Sequence, residues 1–80
     1  MRGRVAEYKV TDGWWRHGFI ICTDGRIAHF DHYGIAEGFE IGPGEQVEFD
    51  LAKSSHWEQG KLTADLDEAG NIAVNVRPVQ

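Results

Sequence analysis

Cysteine, proline and long apolar runs are scarce in this sequence of 80 residues, which contains one cysteine and two prolines. A single cysteine permits no internal disulfide, which fits a reducing compartment, and we expect Cys22 to be a small core residue. No segment approaches the ~20 consecutive apolar residues of a membrane-spanning helix, and the N-terminus lacks the apolar run of a signal peptide. The sequence therefore predicts a cytoplasmic protein without a membrane partner.

Basic residues are also in the minority, since eight Lys and Arg face thirteen Asp and Glu for a net charge of −5. Domains that hold duplex DNA by bulk electrostatics are usually basic, so the composition disfavours that class. The charge is uneven along the chain, because most of the cations fall in the N-terminal third and most of the carboxylates follow later. A locally positive face is therefore compatible with an acidic protein.

The composition that is present suits one compact all-β domain over residues 1–80, with 41% hydrophobic residues and ten glycines. Residues 3–10 predict a first strand whose imperfect alternation indicates a bulge. Val47, Phe49 and Leu51 alternate with an outward acidic face, which we expect to form the back of the molecule. Residues 53–60 are interpreted as a polar loop. Alternation at Leu62, Ala64 and Leu66 and at Ile72, Val74 and Val76 predicts the later strands.

The central hairpin of residues 17–33 carries many rings for its length. Asp24-Gly25 supplies a tight turn between two strands, because both residues tolerate positive φ angles. The strands place imidazole and aromatic rings side by side, at His17, Phe19, Phe30, His32 and Tyr33. A flat surface of this kind is one on which unpaired nucleic acid bases stack.

Four motifs in order resemble the cold-shock domain family. Gly18-Phe19-Ile20 and Phe30-Asp31-His32-Tyr33 resemble its two RNA-binding motifs. Gly3-Arg4-Val5 resembles its opening Gly-Lys-Val, and Gly38-Phe39 followed by residues 44–49 resembles its Gly-Phe and Gly-Gln-x-Val-x-Phe. The likeness covers residues 3–51, and Val74-Asn75-Val76 resembles the closing Ala-Asn-Val.

The resemblance implies a small five-stranded antiparallel OB-fold Greek-key barrel. Because the chain is longer than the family minimum after Leu51, residues 61–76 form either an added hairpin or an enlarged last loop. The resemblance also implies single-stranded RNA or DNA as the partner and a chaperone-like role. Its base-stacking positions map onto Tyr8, His17, Phe19, Phe30, His32, Tyr33 and Phe39.

Other positions complete the expected interface. Arg4, Lys9 and Arg16 are expected to contact phosphates. Trp14 and Trp15 point in opposite directions, so that one of them either plugs the barrel or extends the stacking surface, and we include Trp15 in the interface. Glu7 departs from the family pattern, because it replaces a stacking ring with a negative charge.

The register of residues 27–33 stays open. A gapless alignment from Asp24-Gly25 places His29 and Asp31 inward, where burial is costly unless the two are paired. A shifted register places Ala28 and Phe30 inward and exchanges the rings that face out.

The sequence favours binding over catalysis. Alternation aims His29 and Asp31 to one side and His32 to the other, so three metal ligands do not converge from one strand. No serine or cysteine has a credible base and orienting acid. We therefore expect no enzyme activity, metal, cofactor or small-molecule substrate. A protein-interaction module on the same barrel is the alternative function.

Overall fold

The computed structural model describes residues 1–79. Six strands and one short 3₁₀ helix at His32–Gly34 account for most of that part of the chain. The strands are β1 at Arg2–Thr11, β2 at Trp15–Cys22, β3 at Ile27–Asp31, β4 at Gln46–Glu58, β5 at Lys61–Leu66 and β6 at Ile72–Pro78.

Five of the strands close into a barrel in the order β1-β2-β3-β6-β4, with β4 pairing back onto β1. Four of the pairings are antiparallel, and β3 joins β6 through one parallel contact between His29 and Ile72. This strand order is that of an OB-like barrel, as the sequence predicted. β5 is an additional strand that pairs with β4 outside the closed ring.

The residues after Leu51 form a hairpin outside the barrel and the strand that closes it. β4 continues to Glu58 instead of ending near Leu51, and β5 folds back on this extension as a hairpin. β6 then returns to close the barrel, where Asp50 pairs with Val74 and Leu51 with Ala73. The predicted polar loop at 53–60 is thus wrong for residues 53–58, which lie in a strand. Residues 61–76 form neither a hairpin of their own nor an enlarged loop, because β5 pairs with β4 and β6 is a strand of the barrel.

The barrel interior is filled by side chains from all five of its strands, and no polar or charged residue among 1–79 is buried. The core residues are Val5, Ile20, Cys22, Ala28, Phe30, Val47, Phe49, Leu51, Ala73 and Val76. Cys22 is buried as predicted. Burial raises the pKa of its thiol, and the nearby Asp24 carboxylate raises it further by a smaller amount.

A bulge in β1 changes which residues face inward. Val5 pairs with Ile20, but the next pair is Glu7 with Phe19, so that Ala6 is the extra residue. The predicted bulge is therefore present. Because one residue is inserted, Val5 and Tyr8 face the same side of the sheet although their spacing is odd.

In the turn between β2 and β3, Gly25 has a positive φ angle and Asp24 does not. Gly25 adopts a φ of 91°, whereas Asp24 is not in the left-handed region. Its carboxylate instead accepts hydrogen bonds from the backbone N–H of Arg26 at 3.1 Å and from the Arg26 Nε at 2.9 Å. The backbone contact, with the guanidinium, lowers the pKa of Asp24.

Candidate nucleic-acid interface

The outer surface of β1, β2 and β3 arranges the candidate residues in cross-strand rows. Phe19 lies between Glu7 of β1 and His29 of β3. The next row joins Lys9, His17 and Asp31. Residues directly opposite on neighbouring strands share a face of the sheet, so each row presents a continuous strip of side chains to solvent.

Six rings form a connected group that includes His17 of the second row, and we call it the aromatic cluster. Its members are Trp14, Trp15, His17, His32, Tyr33 and Trp57. The centroids of neighbouring rings lie between 4.2 Å for His32 with Tyr33 and 6.5 Å for Trp14 with His32. Centroid separations of this size are typical of interacting aromatic pairs. Phe19 and His29 add a second pair, with centroids 6.3 Å apart.

The 3₁₀ helix fixes the middle of the aromatic cluster. Asp31 caps this helix, since its Oδ1 accepts a hydrogen bond from the backbone N–H of Tyr33 at 2.9 Å. His32 Nδ1 lies 3.3 Å from the backbone nitrogen and 3.2 Å from the carbonyl oxygen of Arg16. The end of β3 is therefore tied to the start of β2, and the rings of His32 and Tyr33 are held beside Trp15.

The β4–β5 hairpin supplies the far end of the aromatic cluster. Trp57 stacks on Tyr33 with centroids 4.7 Å apart and an interplanar angle of 29°. Its side chain remains 51% exposed. Reading residues 53–60 as a loop left Trp57 out of the expected site, although the two residues between Glu58 and Lys61 are a hairpin-length connection.

Trp14, His29 and Trp57 were not in the predicted interface, yet all three carry exposed rings on this side of the molecule. Trp14 is 62% exposed and contacts Trp15 edge to face. Neither Trp14 nor Trp15 belongs to the barrel core. Both adjacent tryptophans therefore extend the ring surface, and neither of them plugs the barrel.

β3 adopts the shifted register of the two that the sequence left open. Ala28 and Phe30 are buried, with Phe30 only 4% exposed. His29 faces out, and Asp31 lines a groove instead of the core. The reason is the composition of the strand, because the other register would bury an imidazole and a carboxylate without partners.

This register removes Phe30 from the expected stacking surface. Tyr8 is half-buried and stacks on Phe30, with ring centroids 5.6 Å apart. Both rings lie over Gly18, which has no side chain to separate them. Phe30 is therefore a core residue and not part of the outer stacking surface, whereas the assignment of the half-buried Tyr8 as a base-stacking residue stays a prediction.

Phe39 lies apart from the aromatic cluster. It is half-buried in the loop between the 3₁₀ helix and β4, where it packs against the core together with Ile35 and Ile41. Its backbone N–H donates to the carbonyl of Ala36 at 3.2 Å. In this conformation Phe39 covers the core and does not join the ring surface.

Few cations accompany the ring surface. Arg16 is exposed and forms no ion pair within residues 1–79. Lys9 Nζ lies 3.9 Å from Glu7 Oε1, so the carboxylate beside Phe19 is partly offset. Arg4 is exposed and lies opposite Ile21, which is two residues after Phe19 in β2. The positive charge of this face is therefore modest.

Arginines form ion pairs with the carboxylates on the outer face of β4, which we expected to form the back of the molecule. Arg2 Nη2 lies 3.0 Å from Glu48 Oε1, and Arg77 contacts both Glu48 and Asp50. Val47, Phe49 and Leu51 point inward from the same strand, as the alternation predicted. This side of the molecule thus carries paired charges and no ring cluster.

An open groove of about 280 Å³ runs beside the aromatic cluster. Trp15, His17 and His29 contribute rings to it, and Asp31 and Ser55 contribute polar groups. Ile72 supplies apolar surface, and the buried residues Phe30, Ala73 and Val74 also line the groove. Small-molecule sites are usually clefts that are lined mostly by apolar and aromatic residues with a few polar groups.

Two other features bear on the kinds of site that the fold can hold. Within residues 1–79, no three His, Cys, Asp or Glu side chains come together as metal ligands would. The same part of the chain has no helix that is long and apolar enough to cross a bilayer.

The fold and this surface together define an OB-like barrel with an exposed ring cluster at one side. Comparison of the chain with protein-family models, curated proteins and solved structures gave no match. A functional conclusion for this barrel therefore depends on the geometry of its surface.

Proposed function

We propose that this protein binds unpaired single strands of RNA or DNA by stacking bases on the aromatic cluster and on Phe19 with His29. The observation that carries the proposal is the continuity of rings from Trp14 to Trp57 across three elements of the fold, with exposed rings at both ends and half-buried rings between them. Each base that stacks on such a ring contributes about 1–3 kcal/mol and needs no particular sequence.

The modest positive charge supports stacking as the main source of affinity. Lys9 and Arg16 are the cations nearest to the rings along the strands, and Glu7 offsets the first of them. A duplex hides its base faces and offers mainly phosphates, so it gains little from this surface. A protein that prefers the open strand shifts a pairing equilibrium toward it, which is the action of an RNA chaperone.

The proposal is tested by titrating the protein with oligothymidylate and oligouridylate at low salt and following tryptophan fluorescence. All three tryptophans lie in the aromatic cluster, so a stacked base quenches the signal. Phe19→Ala removes a ring but none of the reporters. We expect it to weaken binding about tenfold or more, as loss of one stacked base requires.

Ile21→Ala is the matched control, because Ile21 lies on the same face of β2 and is 39% exposed but has no ring. It should bind like the wild type. Absence of saturable quenching in a protein with an unchanged circular dichroism spectrum would overturn the proposal and favour the protein-interaction alternative.

A further inference from the structure

The groove beside the aromatic cluster contains a carboxylate with no cation beside it. Asp31 is half-buried and lines the groove. Its Oδ1 accepts the Tyr33 N–H at 2.9 Å, and its carboxylate forms no ion pair within residues 1–79. A carboxylate repels a phosphate, so a strand that crosses this groove must turn its bases toward Asp31 and its backbone toward solvent.

The chemistry of Asp31 selects among the bases. An ionised carboxylate only accepts hydrogen bonds, and its two oxygens offer about four lone-pair sites, so the bond from Tyr33 leaves capacity on both oxygens. Guanine presents adjacent N1–H and N2 amino donors, which match the two oxygens as a pair. Adenine and cytosine offer one amino group beside an acceptor, and thymine and uracil offer one N–H between two carbonyl oxygens.

The open groove has a volume on the scale of one nucleic acid base. At about 280 Å³ it is smaller than sites for drug-sized ligands, which are about 300–1,000 Å³. Trp15 and His17 supply ring surface, and the Ser55 hydroxyl supplies a second polar group. Ile72 supplies apolar surface, and the buried Phe30 also lines the groove. A purine enters such a groove by its hydrogen-bonding edge while its neighbours stack on the rings outside.

We propose that this groove binds an unpaired guanine within a single strand, with Asp31 accepting hydrogen bonds from its N1–H and N2 amino group. This inference rests on the proposed function and adds a base preference to it. The contact is bidentate and involves a charged acceptor, which is the strong class of hydrogen bond.

The test compares four heptadeoxynucleotides that are thymidine throughout except at the central position, which carries thymine, guanine, adenine or hypoxanthine. Binding is measured by tryptophan fluorescence at one fixed salt concentration. We expect the guanine heptamer to bind about tenfold more tightly than the all-thymine heptamer. Hypoxanthine lacks the N2 amino group and should lose most of this gain, and adenine should show little of it.

Asp31→Asn separates recognition from structure. The asparagine side chain keeps a carbonyl oxygen that can accept the Tyr33 N–H, so the cap of the 3₁₀ helix is retained. It replaces one acceptor oxygen by a donor group, so the guanine preference should disappear while the all-thymine heptamer binds at least as well. Asp65→Asn is the control for net charge, because Asp65 is exposed on β5 outside the groove, and it should retain the preference.

The outcomes separate this inference from the proposed function. Equal binding of the guanine and thymine heptamers, or a preference that persists in Asp31→Asn, would overturn the guanine site and leave strand binding intact. Failure of every heptamer to bind would overturn both proposals.

Discussion

A single inserted residue decides which rings of β1 and β3 face solvent. Ala6 shifts the alternation of β1, so that Tyr8 turns inward and meets Phe30. Glu7 and Lys9 consequently face the same side as Phe19 and His17. The composition of the outer face is thus set by the bulge as much as by the residue types themselves.

Gly18 makes this arrangement sterically possible. A Cβ built on Gly18 would overlap the backbone carbonyl of Glu7 and approach the Cα of Tyr8 to 2.9 Å. We expect Gly18→Ala to lower the free energy of unfolding by about 1–3 kcal/mol, the usual cost of overpacking. Chemical denaturation followed by tryptophan fluorescence measures this change.

The matched control for this variant is Gly42→Ala. A Cβ at Gly42 meets nothing within 4 Å, and its φ is not in the left-handed region. The free energy of unfolding should change by less than about 0.5 kcal/mol. Equal stability of the two variants would contradict the close contact between β1 and β2 at the bulge.

The sequence predicted the burial of Cys22 in β2 and the inward face of the first half of β4, where apolar and polar residues alternate. It left β3 undecided, since five residues with rings at His29 and Phe30 are compatible with either face. The pairing of Gly18 with Phe30 settles the register, and that contact depends on a neighbouring strand. Trp57 could not be placed for the same reason, since its partner Tyr33 is distant in sequence.

The longest element, β4, joins the barrel to the ring surface. Its first half pairs with β1 and β6, and its second half pairs only with β5. A register shift between Ala52 and Ser54 marks the point where it leaves the barrel. The polar composition of residues 53–56 hid this extension, because a strand that is exposed on both faces lacks apolar alternation.

The turn of the β4–β5 hairpin is built from a residue that does not favour its conformation. Gln59 and Gly60 adopt φ values of 51° and 79°, the pattern of a type I′ turn. Asn tolerates this region better than Gln, so Gln59→Asn should stabilise the protein by about 0.5 kcal/mol. Thermal unfolding should show a rise in Tm of about 2–4 °C.

The opposite substitution provides the comparison. Gln59→Val introduces a β-branched side chain at a positive φ and should lower the Tm. An unchanged or reduced Tm for Gln59→Asn would indicate that the hairpin does not hold this turn, and the position of Trp57 would then need revision.

For the molecule as a whole, the small number of cations near the rings predicts a weak dependence of strand binding on salt. If Lys9 and Arg16 are the two cations that meet phosphates, the slope of log K against log salt is about −1.4. Arg16→Gln should reduce its magnitude by about 0.7. Titrations at four salt concentrations measure both slopes.

Arg77→Gln is the control for this measurement, because Arg77 faces Glu48 and Asp50 on the opposite side of the molecule. Its slope should match that of the wild type. A much steeper slope for the wild type would mean that phosphate contacts, and not stacking, supply most of the affinity.

The position of β6 has a consequence for how the chain acquires this shape. β6 follows every other strand in sequence, yet it lies between β3 and β4 in the sheet. The hairpins of β1 with β2 and of β2 with β3 can form early, and β4 can then pair with β1, but β3 and β4 each keep an unpaired edge until β6 arrives. During synthesis on the ribosome the nascent chain therefore exposes these two open edges until β6 emerges, and pairing of β6 with both of them completes the barrel.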